Sequence, residues 1–153
     1  MIQEFEKLRE DEIEVLLNAP INVAILIAGA DGKIDNAERQ EAIAVARAKQ
    51  SRAREQLEGY YKAVGERFES KFNELIDGYP EDAESRKKEI TTELRKLNFI
   101  LPKVDKNFSI KLYASLKDLA KKIAEASGGV LGYLSVSREE SQLMELKMIN
   151  NPE

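Results

Sequence analysis

The ten residues from Ile21 to Ala30 read INVAILIAGA, and this apolar run constrains the fold more than any other segment. A short apolar run fits either a buried strand or a buried helix. A strand leading into Gly-Ala-Asp-Gly would suggest a nucleotide-binding α/β unit, but the glycines match neither G-x-G-x-x-G nor the phosphate-loop pattern, and the sequence holds no second strand-like run. We therefore predict a buried helix, in which Ala24, Ala28 and Ala30 let a neighbouring helix approach closely.

The segments on either side of this run show apolar residues at helical spacing. Ile2 to Leu17 predicts a short amphipathic helix. Pro20 is suited to start the next helix, because a first helical position needs no N–H. Another helix begins at Asn36, and Ser51 is predicted to cap a fresh helix after it, although one long kinked helix also fits the pattern.

Three more helices are predicted in the second half of the chain. One covers 81–100, one is capped by Asp105 or Asn107, and the last runs from Arg138 to about Met148. The middle one carries the strongest amphipathic stripe in the sequence, which consists of Phe108, Leu112, Leu116, Leu119 and Ile123. The predicted fold class is therefore all-α, a compact bundle of about six to seven helices.

Length and composition favour one soluble domain over 1–153. A chain of 153 residues has the size of one compact domain, since two halves would each bury too little surface. No apolar run reaches the ~18 residues that a membrane span requires. Met1 to Glu14 begins acidic, without the basic start and small-residue cleavage site of a secretory signal. We therefore expect a cytoplasmic protein without a membrane span.

Two missing residue types limit the chemistry of this chain. The sequence contains no cysteine and no histidine, which excludes disulfides, zinc thiolate sites and every Ser-His or Cys-His catalytic arrangement. A bound metal would have oxygen ligands, and such ligands favour calcium, magnesium or manganese. A net charge of −4 and a pI near 5.2 disfavour nucleic acid as a partner.

An acidic turn follows the apolar run. Asp31-Gly32 is predicted to end the buried helix, with the glycine supplying a positive φ. Asp35 and Glu38 are predicted to form a capping box for the next helix. Asp31, Asp35 and Glu38 also place three carboxylates close enough to share a divalent cation, unless they serve only to end and cap helices. A standard EF-hand is excluded, because Ala42 stands where its closing glutamate belongs.

The plan of this turn recurs near the end of the sequence. In each copy a helix ending in Ile-Ala-x-Ala is followed by a glycine turn, an isolated apolar residue and a capping box. The copies comprise Ile27 to Ala30, Gly32, Ile34 and Asp35 with Glu38, and then Ile123 to Ala126, Gly128, Val136 and Ser137 with Glu140. This repetition predicts two pseudo-repeated helix-turn-helix motifs.

The stretch from Ile27 to Arg39 resembles the signature of the tellurite-resistance TerB-like family. In that family a helix rich in small residues runs into Asp-Gly-x-Ile/Val and then into a capped helix with an early glutamate, and a second copy near the C-terminus is typical. The resemblance implies a bundle of about seven helices, a role in bacterial tellurite resistance or a related stress response, and an acidic metal-binding surface. Ser127 and Ser137 stand where acidic residues often occur, which argues against a symmetric carboxylate cluster.

Two further segments are candidates for binding. A basic cluster would contact phosphate or an acidic partner, unless it is a solvated helix face that glutamates neutralise; it comprises Arg47, Lys49, Arg52 and Arg54. A glycine-bearing loop, Gly128–Tyr133, either packs locally or docks a protein or a membrane surface through Val130, Leu131 and Tyr133.

These features predict a non-enzymatic stress-response or interaction module that binds another protein, with a weak divalent-cation site at the acidic turn. The alternative is a pure scaffold that docks through the Gly128–Tyr133 loop without metal. A carboxylate-dependent hydrolase is the least supported class, and it would require a deep cleft holding two carboxylates with raised pKa values. The pattern does not indicate an oligomeric state.

Overall fold

The computed structural model describes residues 5–30, 32, 34–53, 55–127 and 142–153, and within this part of the chain it contains helices and no strand. The predicted all-α class is confirmed. Five α-helices of at least 13 residues are described, together with one helix of four residues, so the predicted bundle of six to seven helices is not confirmed. Their bounds are α1 Glu10–Ala28, α2 Asn36–Arg52, α3 Glu58–Gly78, α4 Ala83–Arg95, α5 Leu97–Ile100 and α6 Lys106–Ser127.

Helix α1 lies at the centre of the bundle and packs against α2, α3, α4 and α6. Its second half is buried at every position from Ala19 to Ala28, as the apolar run predicted. A helix that is apolar on all sides must be surrounded by other helices to be stable in water. The other long helices therefore assemble around α1. None of the described helices is both long enough and apolar enough to cross a membrane.

The predicted helix break at Pro20 is wrong, because α1 continues through this proline. Proline has no N–H, so the carbonyl of Leu16, four residues earlier, loses its usual helical partner. The hydroxyl of Tyr60 on α3 takes the place of that N–H and donates to the Leu16 carbonyl at 2.6 Å. Tyr60 is fully buried among aromatic rings, where burial raises the pKa of its hydroxyl well above the usual value. A tertiary hydrogen bond thus repairs the helix at its proline.

Three of the helices begin with a side-chain cap. The carboxylate of Asp35 accepts a hydrogen bond from the Glu38 amide at 2.8 Å, and that of Glu38 accepts from the Asp35 amide at 3.1 Å, so the predicted capping box of α2 is confirmed. Asp82 caps α4, and Asp105, one of the two predicted alternatives, caps α6 through the Phe108 amide. The predicted stripe of α6 is buried at all five positions.

Two predicted helix boundaries are wrong. Helix α2 continues to Arg52, so Ser51 lies inside it and does not cap the next helix. The predicted last helix does not reach Met148, since the chain forms turns from Met144 onward and Leu146 has a φ of 48°. Leu146 and Ile149 are both buried, and a left-handed turn allows both side chains to reach the core.

An ion pair fastens α1 to α3 at the surface. The guanidinium of Arg67 binds both carboxylate oxygens of Glu14, at 3.0 and 2.6 Å, and Lys71 lies 3.4 Å from the same carboxylate. These cations lower the pKa of Glu14 to about 2, with Arg67 as the main cause. Because Glu14 is half exposed, solvent screens much of this attraction.

The hydrogen bond from Tyr60 that compensates for Pro20 is testable with a double-mutant cycle. Replacing Tyr60 by Phe leaves the buried Leu16 carbonyl without a partner and should cost about 1–3 kcal/mol of unfolding free energy, measured in urea. In a Pro20→Ala background the main-chain N–H is restored, so the same replacement should cost clearly less. Tyr61→Phe is the matched control, since the Tyr61 hydroxyl contacts Ser115 and should cost the same in both backgrounds. Equal costs of Tyr60→Phe in the two backgrounds would contradict the repair.

Candidate functional site

The predicted acidic turn joins α1 to α2. Helix α1 ends at Ala28, and Gly32 has a φ of 148°, which confirms the positive φ predicted for this glycine. A residue with a side chain would be strained in that conformation. Asp31 lies outside the described residues, so the structure describes two of the three predicted cation ligands, Asp35 and Glu38.

Both described ligand candidates are engaged in the capping box of α2. Each carboxylate accepts a main-chain N–H from the other residue. Among the residues that the structure describes, no group of three acidic side chains lies close enough to hold a metal ion. With Asp31 not described, the cation site stays a prediction, while the capping role of Asp35 and Glu38 is a structural fact.

The turn is held by an arginine from a different part of the chain. Arg86 on α4 is only 6 % exposed, and its guanidinium donates to the carbonyl of Gly29 at 2.7 Å and to that of Gly32. It also donates to the carbonyl of Glu81 at 3.1 Å. One buried cation therefore ties the end of α1, the turn and the start of α4 together.

Gly29 is required for this arrangement. A Cβ atom at this position would lie 2.6 Å from the Arg86 Nη2 atom and 3.0 Å from the Ile34 side chain, closer than real Cβ contacts. The absence of a side chain lets the guanidinium approach the main chain directly. The glycine in the Ile-Ala-Gly-Ala sequence thus has a packing role, which the sequence comparison with the second copy did not reveal.

Burial sets the electrostatics of Arg86. Desolvation lowers the pKa of the guanidinium, and the nearby Asp82 carboxylate partly opposes this shift. The group keeps its charge at neutral pH, because the pKa of an arginine starts far above that range. A positive charge bonded to the carbonyls of the turn opposes a second cation there and attracts an anionic group.

The arginine separates two hollows that open on either side of the turn. The larger, of about 240 Å³, is lined by Ile34 of the turn and by Tyr79, and the smaller, of about 60 Å³, is lined by Leu26 and Ile90. Tyr79 donates to the buried Asn22 of α1 at 2.6 Å, and burial raises its pKa to about 12. The turn therefore stands between two concave surfaces on a rigid base.

Arg86 begins a basic run in the sequence, Arg86-Lys87-Lys88, and the sequence analysis did not predict its buried role. A usable signal existed, because Arg86 lies four residues before Ile90 and eight before Leu94, on the buried face of α4. Helical periodicity places a residue on that face but does not say which carbonyls it meets.

The other predicted sites have mixed outcomes. In the basic cluster, Arg47 pairs with Glu69 at 2.6 Å, as the alternative of a neutralised helix face predicted, whereas Lys49 contacts an aspartate, Asp118, at 2.6 Å. Arg54 and the loop residues Val130, Leu131 and Tyr133 lie outside the described residues, as does most of the second pseudo-repeat.

The carboxylates show no sign of a catalytic acid in the described part of the chain. Every resolved pKa shift of a carboxyl group there is downward, through hydrogen bonds or nearby cations. A glycosidase-like acid needs a raised pKa instead. These directions do not support the hydrolase alternative.

Comparison with known proteins adds no further assignment. No protein-family model matches the chain, and no curated protein or solved structure matches it. The resemblance to TerB-like proteins therefore rests on residues 27–39 and on the echo near the C-terminus, and it stays a prediction.

We call the hydrogen bonds from Arg86 to the turn the brace. They predict that removing the guanidinium has a local effect. Arg86→Met keeps a long unbranched side chain but removes the guanidinium donors to the carbonyls of Gly29 and Gly32, and we expect a loss of about 1–3 kcal/mol in unfolding free energy. The Gly29 carbonyl would keep its main-chain bond from the Gly32 amide, at 3.2 Å. Hydrogen exchange of the peptide covering 25–40 should accelerate at least tenfold in this variant. Lys88→Met is the control on the same helix, since Lys88 is exposed and lines neither hollow. Unchanged exchange in Arg86→Met would show that the arginine does not hold the turn.

Proposed function

We propose that this chain is a non-enzymatic interaction module of the stress-response type and that the Arg86-braced turn, residues 29–38, meets its protein partner. The observation that carries the proposal is the burial of Arg86 with its donors directed at main-chain carbonyls of the turn. The assignment to a tellurite or related stress response rests on the sequence resemblance alone.

The energetics of the brace support a role in shaping a surface. Burying a guanidinium costs several kcal/mol of solvation, and an apolar side chain of similar size would often fill such a site with equal or better stability. The hydrogen bonds from Arg86 instead restrict the glycine-containing turn to a single geometry. A surface that is already rigid loses less conformational entropy when it binds, and this increases affinity.

The turn also has the surroundings of a binding surface. Asp35, Asn36 and Ala37 are exposed at the start of α2. A hollow of about 240 Å³ lies beside them and combines apolar walls at Ile34 with the guanidinium of Arg39. Exposed residues next to a hollow that combines apolar and charged side chains suit a protein partner that inserts a side chain.

Site-specific crosslinking tests the docking proposal. A photoreactive phenylalanine analogue at Ala37, introduced into the protein in its own host, should yield a covalent adduct with a defined protein. The adduct should disappear with Arg86→Met and persist with Lys88→Met. The same analogue at the exposed Lys62 of α3 is the positional control and should give no such adduct. An adduct that is insensitive to Arg86→Met, or that forms equally from position 62, rules out the braced turn as the docking surface.

The proposal includes a weak divalent cation at Asp31, Asp35 and Glu38, as the resemblance implies. The charge of Arg86 opposes tight binding, so we expect dissociation constants in the millimolar range. Calcium, magnesium or manganese at ten times such a constant would stabilise the fold by about 1.4 kcal/mol. Titration calorimetry with thermal melts of the wild type and of Asp31→Asn measures this effect. If metal at ten times such a constant gives neither heat nor a shift in Tm, the cation is removed from the proposal and docking is left intact.

A further inference from the structure

A broad groove of about 510 Å³ lies between the end of α2 and the middle of α6, and we call it the α2–α6 groove. It shares no lining residue with the two hollows beside Arg86. The inference drawn from it is therefore independent of the role proposed for the turn.

The walls of the α2–α6 groove are strongly basic. Its charged lining residues are Lys49, Arg52, Lys111, Lys122 and Asp118. Among the described residues that line it there are four cations and one carboxylate, on a chain whose net charge is −4. The sign of the local charge thus opposes that of the whole molecule.

A single carboxylate serves two of these lysines. Asp118 lies 2.6 Å from the Lys49 Nζ atom and 2.8 Å from the Lys122 Nζ atom. One negative charge cannot neutralise two positive ones, so the groove stays electropositive even with both contacts formed.

The floor of the α2–α6 groove is apolar. Ala53 and Leu57 are half-buried, and Ala114 on α6 is exposed to the groove. Beneath them the hydroxyls of Tyr61 and Ser115 are buried and hydrogen bond to each other at 2.6 Å. A ligand would therefore meet an apolar strip between rows of cations.

We propose that the α2–α6 groove binds an acidic amphipathic segment of a protein partner. Apolar side chains of such a segment would cover Ala53, Leu57 and Ala114, and its aspartates and glutamates would face the lysines and Arg52. An amphipathic helix lying in a groove between two helices is a common mode of peptide recognition. Opposite charges also speed the encounter and select against basic segments.

Two other anionic ligands fit the groove less well. A nucleic acid would be repelled by the net charge of −4, and Tyr61 is buried, so it provides no face on which a base stacks. A small phosphate ligand would have to compete with the Asp118 carboxylate for Lys49 and Lys122, which converge on it, and would leave the apolar floor uncovered. An acidic segment uses both the distributed charge and the apolar floor.

Fluorescence anisotropy with designed probes tests this inference. The probe is a labelled 18-residue helical peptide with leucines on one face and glutamates on the other, and the reference probe carries glutamines in place of the glutamates. We expect the glutamate peptide to bind at least tenfold more tightly than the glutamine peptide at low salt, with the difference shrinking as salt rises.

Charge-reversal variants locate the binding. Arg52→Glu and Lys122→Glu together should weaken the glutamate peptide at least tenfold. Lys121→Glu is the matched control, because Lys121 is exposed on α6 next to Lys122 but does not line the groove, and it should change affinity less than twofold. Circular dichroism melts establish that each variant is folded.

Several results would overturn the inference. Equal affinity for the two peptides would show that apolar contact alone is responsible, and an equal loss with Lys121→Glu would show a general charge effect. Tighter binding of a single-stranded oligonucleotide than of the glutamate peptide would assign the groove to nucleic acid. Absence of binding by the wild type up to millimolar peptide would also reject it.

Discussion

The hydrogen bond from the Tyr60 hydroxyl to the Leu16 carbonyl is the interaction on which the rest of the fold depends. It supplies the partner that Pro20 removes, so α1 runs without interruption from a half-exposed first half into a fully buried second half. Because α1 contacts each of the other long helices, its straight course determines where all of them pack. A break at Pro20 would separate the apolar run from the helices that cover it.

A side chain from another helix also binds main-chain carbonyls where α1 ends and the turn begins. A helix leaves its last carbonyls without main-chain partners. Arg86 binds the carbonyls of Gly29 and Gly32, just as Tyr60 binds that of Leu16. In both places the donor is a buried side chain from a later helix, so these bonds hold α3 and α4 beside α1 and the turn that follows it. The braced turn is thus a product of the packing of α4 and not of local turn preference alone.

Charge divides the surface into regions of different chemistry. The net charge is −4, but the charges are unevenly distributed. The braced turn has a buried cation, Arg86, beneath exposed acidic caps, and a basic groove lies between α2 and α6. The two surfaces use different residues, so the two proposed contacts would not compete with each other.

The sequence by itself determined the features that depend on near neighbours. The helix caps at Asp35 and Asp105, the positive φ of Gly32 and the buried stripe of α6 follow from patterns within one or two turns, because hydrogen bonds and periodicity act over that range. Only the tertiary structure decided that α1 passes through Pro20 and that Arg86 is a buried brace. Each of these depends on a hydrogen bond between residues more than forty positions apart, and no local pattern contains both the carbonyl and its donor.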